Sequence, residues 1–191
     1  MIVFECALHG WSPGFGDPTL SGWVATTAYL SAAAVAGYAG ARAAFPVSSH
    51  RRERLFWLGL TVVLAFLAIN KQLDLQSLLT AFGRCLSRTQ GWYEDRRVVQ
   101  RDFILALGAF ATAAAAGLTW LLRGTFRRSG PALCGLALLA GFVLIRATGF
   151  HHAESLIGVD VPSARISHVL ELAGLALILV AGWRVARLNA S

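Results

Sequence analysis

The stretch Leu55–Ile69, LFWLGLTVVLAFLAI, decides the fold class. It carries no charge and lies between Arg54 on one side and Asn70-Lys71 on the other. A bilayer's hydrocarbon core is about 30 Å thick and takes about 20 helical residues to cross. These 15 residues reach only about 22 Å at the helical rise. The helix is therefore expected to run past Lys71, or to depend on snorkelling side chains at both ends.

Working outward, four more apolar blocks have the same character. One precedes, about Gly22–Ala41, entered through Asp17-Pro18 as helix cap and first helical residue. Three follow: Phe103–Leu122, Pro131–Phe150 and about Ser167–Trp183. The last two reach membrane length only if Arg146 and Glu171 lie at membrane depth. The reading for residues 1–191 is one all-α domain, a polytopic integral membrane protein with five transmembrane helices and one outer interfacial amphipathic helix.

Composition agrees. Charged residues are 14% of the chain and apolar ones 56%, against about 25% charged in a soluble domain. The +7 balance rests on Arg, with Lys71 the single lysine. These residues sit in loops beside apolar blocks, which points to topology and lipid headgroups as partners and not to nucleic acid. The opening MIVFECALHGWSPGFGD has no basic region and holds Glu5 and His9 within its apolar run, unlike a cleavable signal peptide. Cys6, Cys85 and Cys134 lack metal-ligand spacing. A Cys6–Cys85 disulfide is conceivable in an oxidising compartment, but isolated thiols are the preferred expectation.

Orientation comes from the loops. No Lys or Arg precedes the first block, whereas Arg42, Arg51, Arg52 and Arg54 follow it, and Arg123–Arg128, Arg184 and Arg187 fall on the same side. That side is expected to be cytoplasmic, with the N-terminus outside and the C-terminus in the cytoplasm of a bacterial cell. Among the acids only Glu53 falls inside.

Small residues recur at four-residue spacing (Ala33/Gly37/Ala41, Ala36/Gly40, Gly108/Thr112/Ala116), which lets helices approach closely within a bundle or across a dimer. In the outer loop, 71–101, Leu75, Leu78, Leu79, Phe82 and Leu86 share one helical face, as in an amphipathic helix that lies at the interface or folds back on the bundle, ended by Gln90-Gly91.

This topology brings the chemistry-bearing residues to one membrane face. Asn70, Asp74 and Ser77 fall on one helical stripe, either a solvated face or part of an outer pocket. Lys71 is placed to pair with Asp74 across a turn. His151, His152 and Glu154 leave the fourth block, and His168 and Glu171 enter the fifth. His151, His152, His168 and Glu171 could ligate a divalent metal. Alternatively they are interfacial histidines, or His152, His168, Glu171 and Asp74 do acid–base work. Haem on His152 and His168 would sit at the rim and is disfavoured. Arg146 and Glu171 lie at similar depth and are expected to pair. Arg146, Arg97 and Lys71 are candidate cofactor-binding residues, Arg146 as an anion clamp, and Arg96, Arg97, Gln100 and Arg101 suit lipid phosphate or a partner's acidic surface, or else snorkel to headgroups.

Two functions follow. One is a metal-dependent or acid–base enzyme, or a binding protein, acting on a lipid-linked or membrane-delivered substrate at the outer face. The other is an accessory subunit of a larger membrane complex. No residue pattern here names a family.

Overall fold

The computed structural model describes residues 2–9, 19–91, 93–148 and 163–187. Among these residues lie seven α-helices: α1 (Ile2–His9), α2 (Leu20–Arg42), α3 (His50–Leu73), α4 (Leu75–Thr89), α5 (Arg96–Leu121), α6 (Phe126–Thr148) and α7 (Ser163–Ala186). A 3-10 turn, Tyr93–Asp95, leads into α5. No strand occurs among the described residues.

Helices α3, α5, α6 and α7 are each long and apolar enough to cross a membrane. Helix α2 spans 23 residues, but Gly, Ala, Ser and Thr leave it less apolar than those four. The short block Leu55–Ile69 is resolved by extension at both ends: α3 takes in Arg51, Arg52 and Arg54 before it and Lys71 after it. Its 24 residues measure about 36 Å.

Two expected boundaries shift. Asp17 and Pro18 lie outside the described residues, and the cap on α2 is Thr19, whose Oγ1 accepts the Gly22 amide at 3.2 Å. Helix α6 starts before Pro131, which therefore sits inside it. The chain reverses at Gly124, where φ is 90°. The Thr125 carbonyl then accepts the Arg128 and Ser129 amides at 3.0 Å each, so the helix is already under way when the proline arrives.

The core lies where α2, α3, α6 and α7 meet. Tyr29, Ala32, Ala36 and Ala39 of α2 face Trp57, Leu60 and Leu64 of α3, with Leu139 of α6 and Leu175, Ile178 and Ala181 of α7. Helices α6 and α7 touch backbone to backbone. A Cβ added at Gly135 would sit 2.6 Å from the Gly174 carbonyl oxygen, and one at Gly174 would sit 2.8 Å from that of Gly135. Gly40 packs similarly tightly on Trp57 and Leu58, as its four-residue spacing with Ala36 suggests. Gly108, Thr112 and Ala116 behave differently. They lie on α5, which packs chiefly on α6 and buries none of the residues of its membrane-length stretch.

Between α3 and α4 the backbone breaks at Asp74, with φ 46° and ψ 50°, a left-handed conformation that Asp tolerates better than most residues. Beyond it α4 packs on α1, and Cys6 is joined to Cys85 by a disulfide with a Cα–Cα separation of 6.1 Å. Free thiols at both positions are thereby overturned: α1 lies along α4, a proximity that 79 residues of sequence separation conceal. Cys134 is free. Helix α4 also lacks a single buried leucine face. Leu75, Leu78 and Leu86 are half-buried, Leu79 and Phe82 are exposed, and Cys85 and Ser87 are its buried residues. The helix is contacted on two sides, by α1 and by the cavity described next.

Candidate functional site: a buried charge cluster beside a cavity

Glu171 lies two turns into α7 with its side chain 1% exposed. Three other residues converge on its carboxylate. Lys71, in the last turn of α3, donates from Nζ to Oε1 at 3.2 Å and to Oε2 at 3.3 Å. Tyr29 of α2, itself buried, donates its hydroxyl to Oε1 at 3.1 Å. His168, one turn earlier on α7, brings Nδ1 to 3.6 Å from Oε2. Lys71 also stands 5.9 Å from the Phe142 ring centroid, within cation–π range. Beside the cluster, Gln72 donates to the Thr26 hydroxyl at 2.8 Å and ties α3 to α2.

Each position follows from helical spacing. Lys71 faces the bundle because Leu60, Leu64 and Ala68, on the same stripe of α3, are core residues. Glu171 shares the inner face of α7 with Leu175 and Ile178. The resulting buried pair is satisfied by charge and by the tyrosine hydroxyl together, the condition under which buried ions are tolerated.

The cluster borders a cavity of about 800 Å³. Its apolar lining comes from Phe66 and Leu67 of α3, Leu75 and Leu79 of α4, Phe103 and Leu107 of α5, and Phe142 of α6. Its polar lining includes Asn70, Lys71, Asp74, Arg84, Arg88, Arg146 and Glu171. The site is thus amphipathic, with cations outnumbering acids.

The sequence candidates fare unequally. Lys71, Asp74, Arg146 and Glu171 all line this cavity. The expected Arg146–Glu171 pair is replaced: among the described residues Glu171 is ion-paired to Lys71 and has the His168 imidazole beside it. The reason is geometric, since Lys71 occupies a core-facing position whereas Arg146, in the last turn of α6, is exposed. Lys71 accordingly pairs across the bundle and not with Asp74. Asn70, Asp74 and Ser77 do not form one stripe, because the break at Asp74 assigns Ser77 to α4. Ser77 is exposed and donates its hydroxyl to Asp74 at 2.5 Å. Arg97 falls in the first turn of α5. His151, His152 and Glu154 lie outside the described residues.

Among the described residues no three His, Cys, Asp or Glu side chains gather as a metal group. Of the four proposed ligands, His168 and Glu171 are adjacent, but both oxygens of Glu171 are engaged by the Lys71 ammonium, which a metal ion would have to displace.

Sequence reasoning missed Tyr29, whose one signal was a tyrosine in a helix of small residues. It also missed a second knot at the opposite end of the bundle. There Glu53 is 0% exposed and accepts from Arg128 at 2.7 Å, Ser49 at 2.7 Å and Ser129 at 3.3 Å. Arg52 reaches the Leu121 carbonyl at 3.5 Å and closes the end of α5. This cluster joins α3 to α6.

No protein-family model, curated protein or solved structure matches this chain.

Proposed function

We propose that this chain is a five-span membrane protein whose cavity, at the outer face, receives a membrane-delivered amphiphile and engages its polar end through Glu171 and Lys71. The observation that carries the reading is the buried Lys71–Glu171 pair forming part of an otherwise largely apolar cavity. Charge at membrane depth is costly, and where it occurs it marks a functional site by default. Glu171 offers a carboxylate and Lys71 an ammonium group, so the cluster suits acid–base chemistry on a bound lipid-linked group as well as binding.

The disulfide supports the topology by parity. Cys6 and Cys85 are bonded, so they share a side, and the chain between them must cross the membrane an even number of times. With α3 counted as one crossing, this parity supports α2 as the other and so the five-span reading. Disulfides persist in oxidising compartments, which favours the outer face for that end, in keeping with the Arg asymmetry around the first span.

The test is native mass spectrometry of the purified chain in a mild uncharged detergent. A retained lipid mass, lost in Leu107→Trp because the indole fills the cavity, is the expected result. A lipid-free chain, or retention indifferent to that substitution, removes the proposal. Unburied α5 favours a second reading, in which the chain is a subunit of a larger assembly. A photocrosslinker at Ala113 in native membranes would then form protein adducts, whereas lipid adducts alone would reject it.

A further inference from the structure

We infer that Arg84 and Arg88 form a phosphate subsite in the α4 wall, so that the amphiphile is an organic phosphate; this rests on the cavity reading above. The two arginines are one turn apart on the same face of α4 and both line the cavity. Like charges at that spacing repel. Among the described residues neither is ion-paired: the ion pairs are Lys71–Glu171, Arg101–Asp102 and Arg128–Glu53, with His168 beside Glu171. The cavity's acids are Asp74 and Glu171. Glu171 belongs to Lys71, and Asp74 stands ten residues before Arg84, about 15 Å along the axis of α4. The α4 wall therefore presents two positive charges to a space walled largely by apolar side chains.

The subsite is also held in place. The Arg88 guanidinium stacks 5.1 Å from the Tyr93 ring centroid. Cys85, between the two arginines, is anchored by its disulfide to α1. Ser87 donates to the Arg84 carbonyl at 2.9 Å and fixes the intervening turn. Gly83 leaves open space beside Arg84, with no heavy atom within 4 Å of where a Cβ would stand.

Two planar guanidinium forks match the several oxygens of a phosphate, each accepting paired N–H donors. A carboxylate has only two oxygens and fills one fork. With the phosphate at Arg84 and Arg88, the hydrocarbon portion falls against Leu79, Phe66, Phe103 and Leu107.

The experiment titrates the full chain, in uncharged detergent, with dioleoyl phosphatidic acid, dioleoylglycerol, oleate or inorganic phosphate, read by native mass spectrometry. Phosphatidic acid should bind once per chain and more tightly than oleate. Arg84→Gln with Arg88→Gln should weaken phosphatidic acid by about tenfold to a hundredfold, as expected for losing hydrogen bonds to a charged group, while dioleoylglycerol is unchanged. Arg84→Lys with Arg88→Lys, which keeps the charge and loses the forks, should fall between and guards against a misfolded first variant. Displacement by millimolar inorganic phosphate assigns the site to soluble phosphates, and resistance assigns it to a lipid headgroup; either supports the inference. Equal retention of phosphatidic acid by wild type and the glutamine variant overturns it, as does oleate binding as tightly. If Leu107→Trp leaves both diacyl ligands bound, the cavity reading falls instead.

Discussion

At Glu171, removing one partner of a satisfied pair strands the other with its charge largely withdrawn from solvent. Lys71→Met and Glu171→Leu should each cost about 3–5 kcal/mol, read as a lowered melting temperature in detergent. The double substitution should recover part of that loss. Tyr29→Phe deletes one hydroxyl and should cost about 1 kcal/mol. Arg146→Met combined with Glu171→Leu should be additive, because the two are not paired; a coupling as large as that of Lys71 would contradict the geometry. Asp74 carries a different kind of constraint. With its φ at 46°, Asp74→Gly should leave stability unchanged or raised. Asp74→Val should lower it by about 1–2 kcal/mol, since a branched side chain resists the left-handed region. At this scale the sequence exposed chemistry but not partnership. That Glu171 falls inside a helix of membrane length was readable from the sequence. That Lys71, not Arg146, reaches it depends on which face of α3 turns inward, and only the assembled bundle determines that.

The helices themselves were largely legible, because blocks such as Leu55–Ile69 are uncharged, apolar and continuous. Their ends were harder. Pro131 reads as a start signal, yet Gly124 and Thr125 begin α6 earlier, and a proline in a membrane-length helix is tolerated when neighbours re-satisfy the freed carbonyl. Small-residue spacing singled out Gly108 and Gly40 alike, but only contact tells a glycine that admits a neighbour from one that faces outward. This distinction is testable. Gly135→Ala and Gly174→Ala force a methyl group onto a facing carbonyl and should each destabilise by about 1–3 kcal/mol. Gly108→Ala, with nothing within 4 Å, should be neutral or slightly stabilising through helix propensity. Thermal unfolding of the three variants side by side settles the matter, and equal losses would mean that α6 and α7 are not in backbone contact. Helix α4 was legible as a helix but not as a wall with two contacts, because α1 and the cavity engage it from different directions.

For the whole molecule, the orientation proposal predicts that cytoplasm-restricted fluorescent reporters light up when fused at Ser191 and stay dark when inserted between Thr89 and Gly91. The opposite pattern would turn the cavity toward the cytoplasm. The covalent link between α1 and α4 carries a further consequence, for biosynthesis. Chain emerging from the ribosome presents Cys6 long before Cys85, with α2 and α3 between them. On the five-span proposal the ring closes only after both helices have been threaded through the bilayer and α4 delivered to the same compartment as α1. Oxidation is thus a time stamp on insertion: chains arrested before α4 is exported carry a reduced Cys6, and completed ones do not. Pulse-labelling followed by a thiol-reactive mass tag should show Cys6 and Cys85 becoming unreactive together, in a single late step, while Cys134 retains its free thiol throughout.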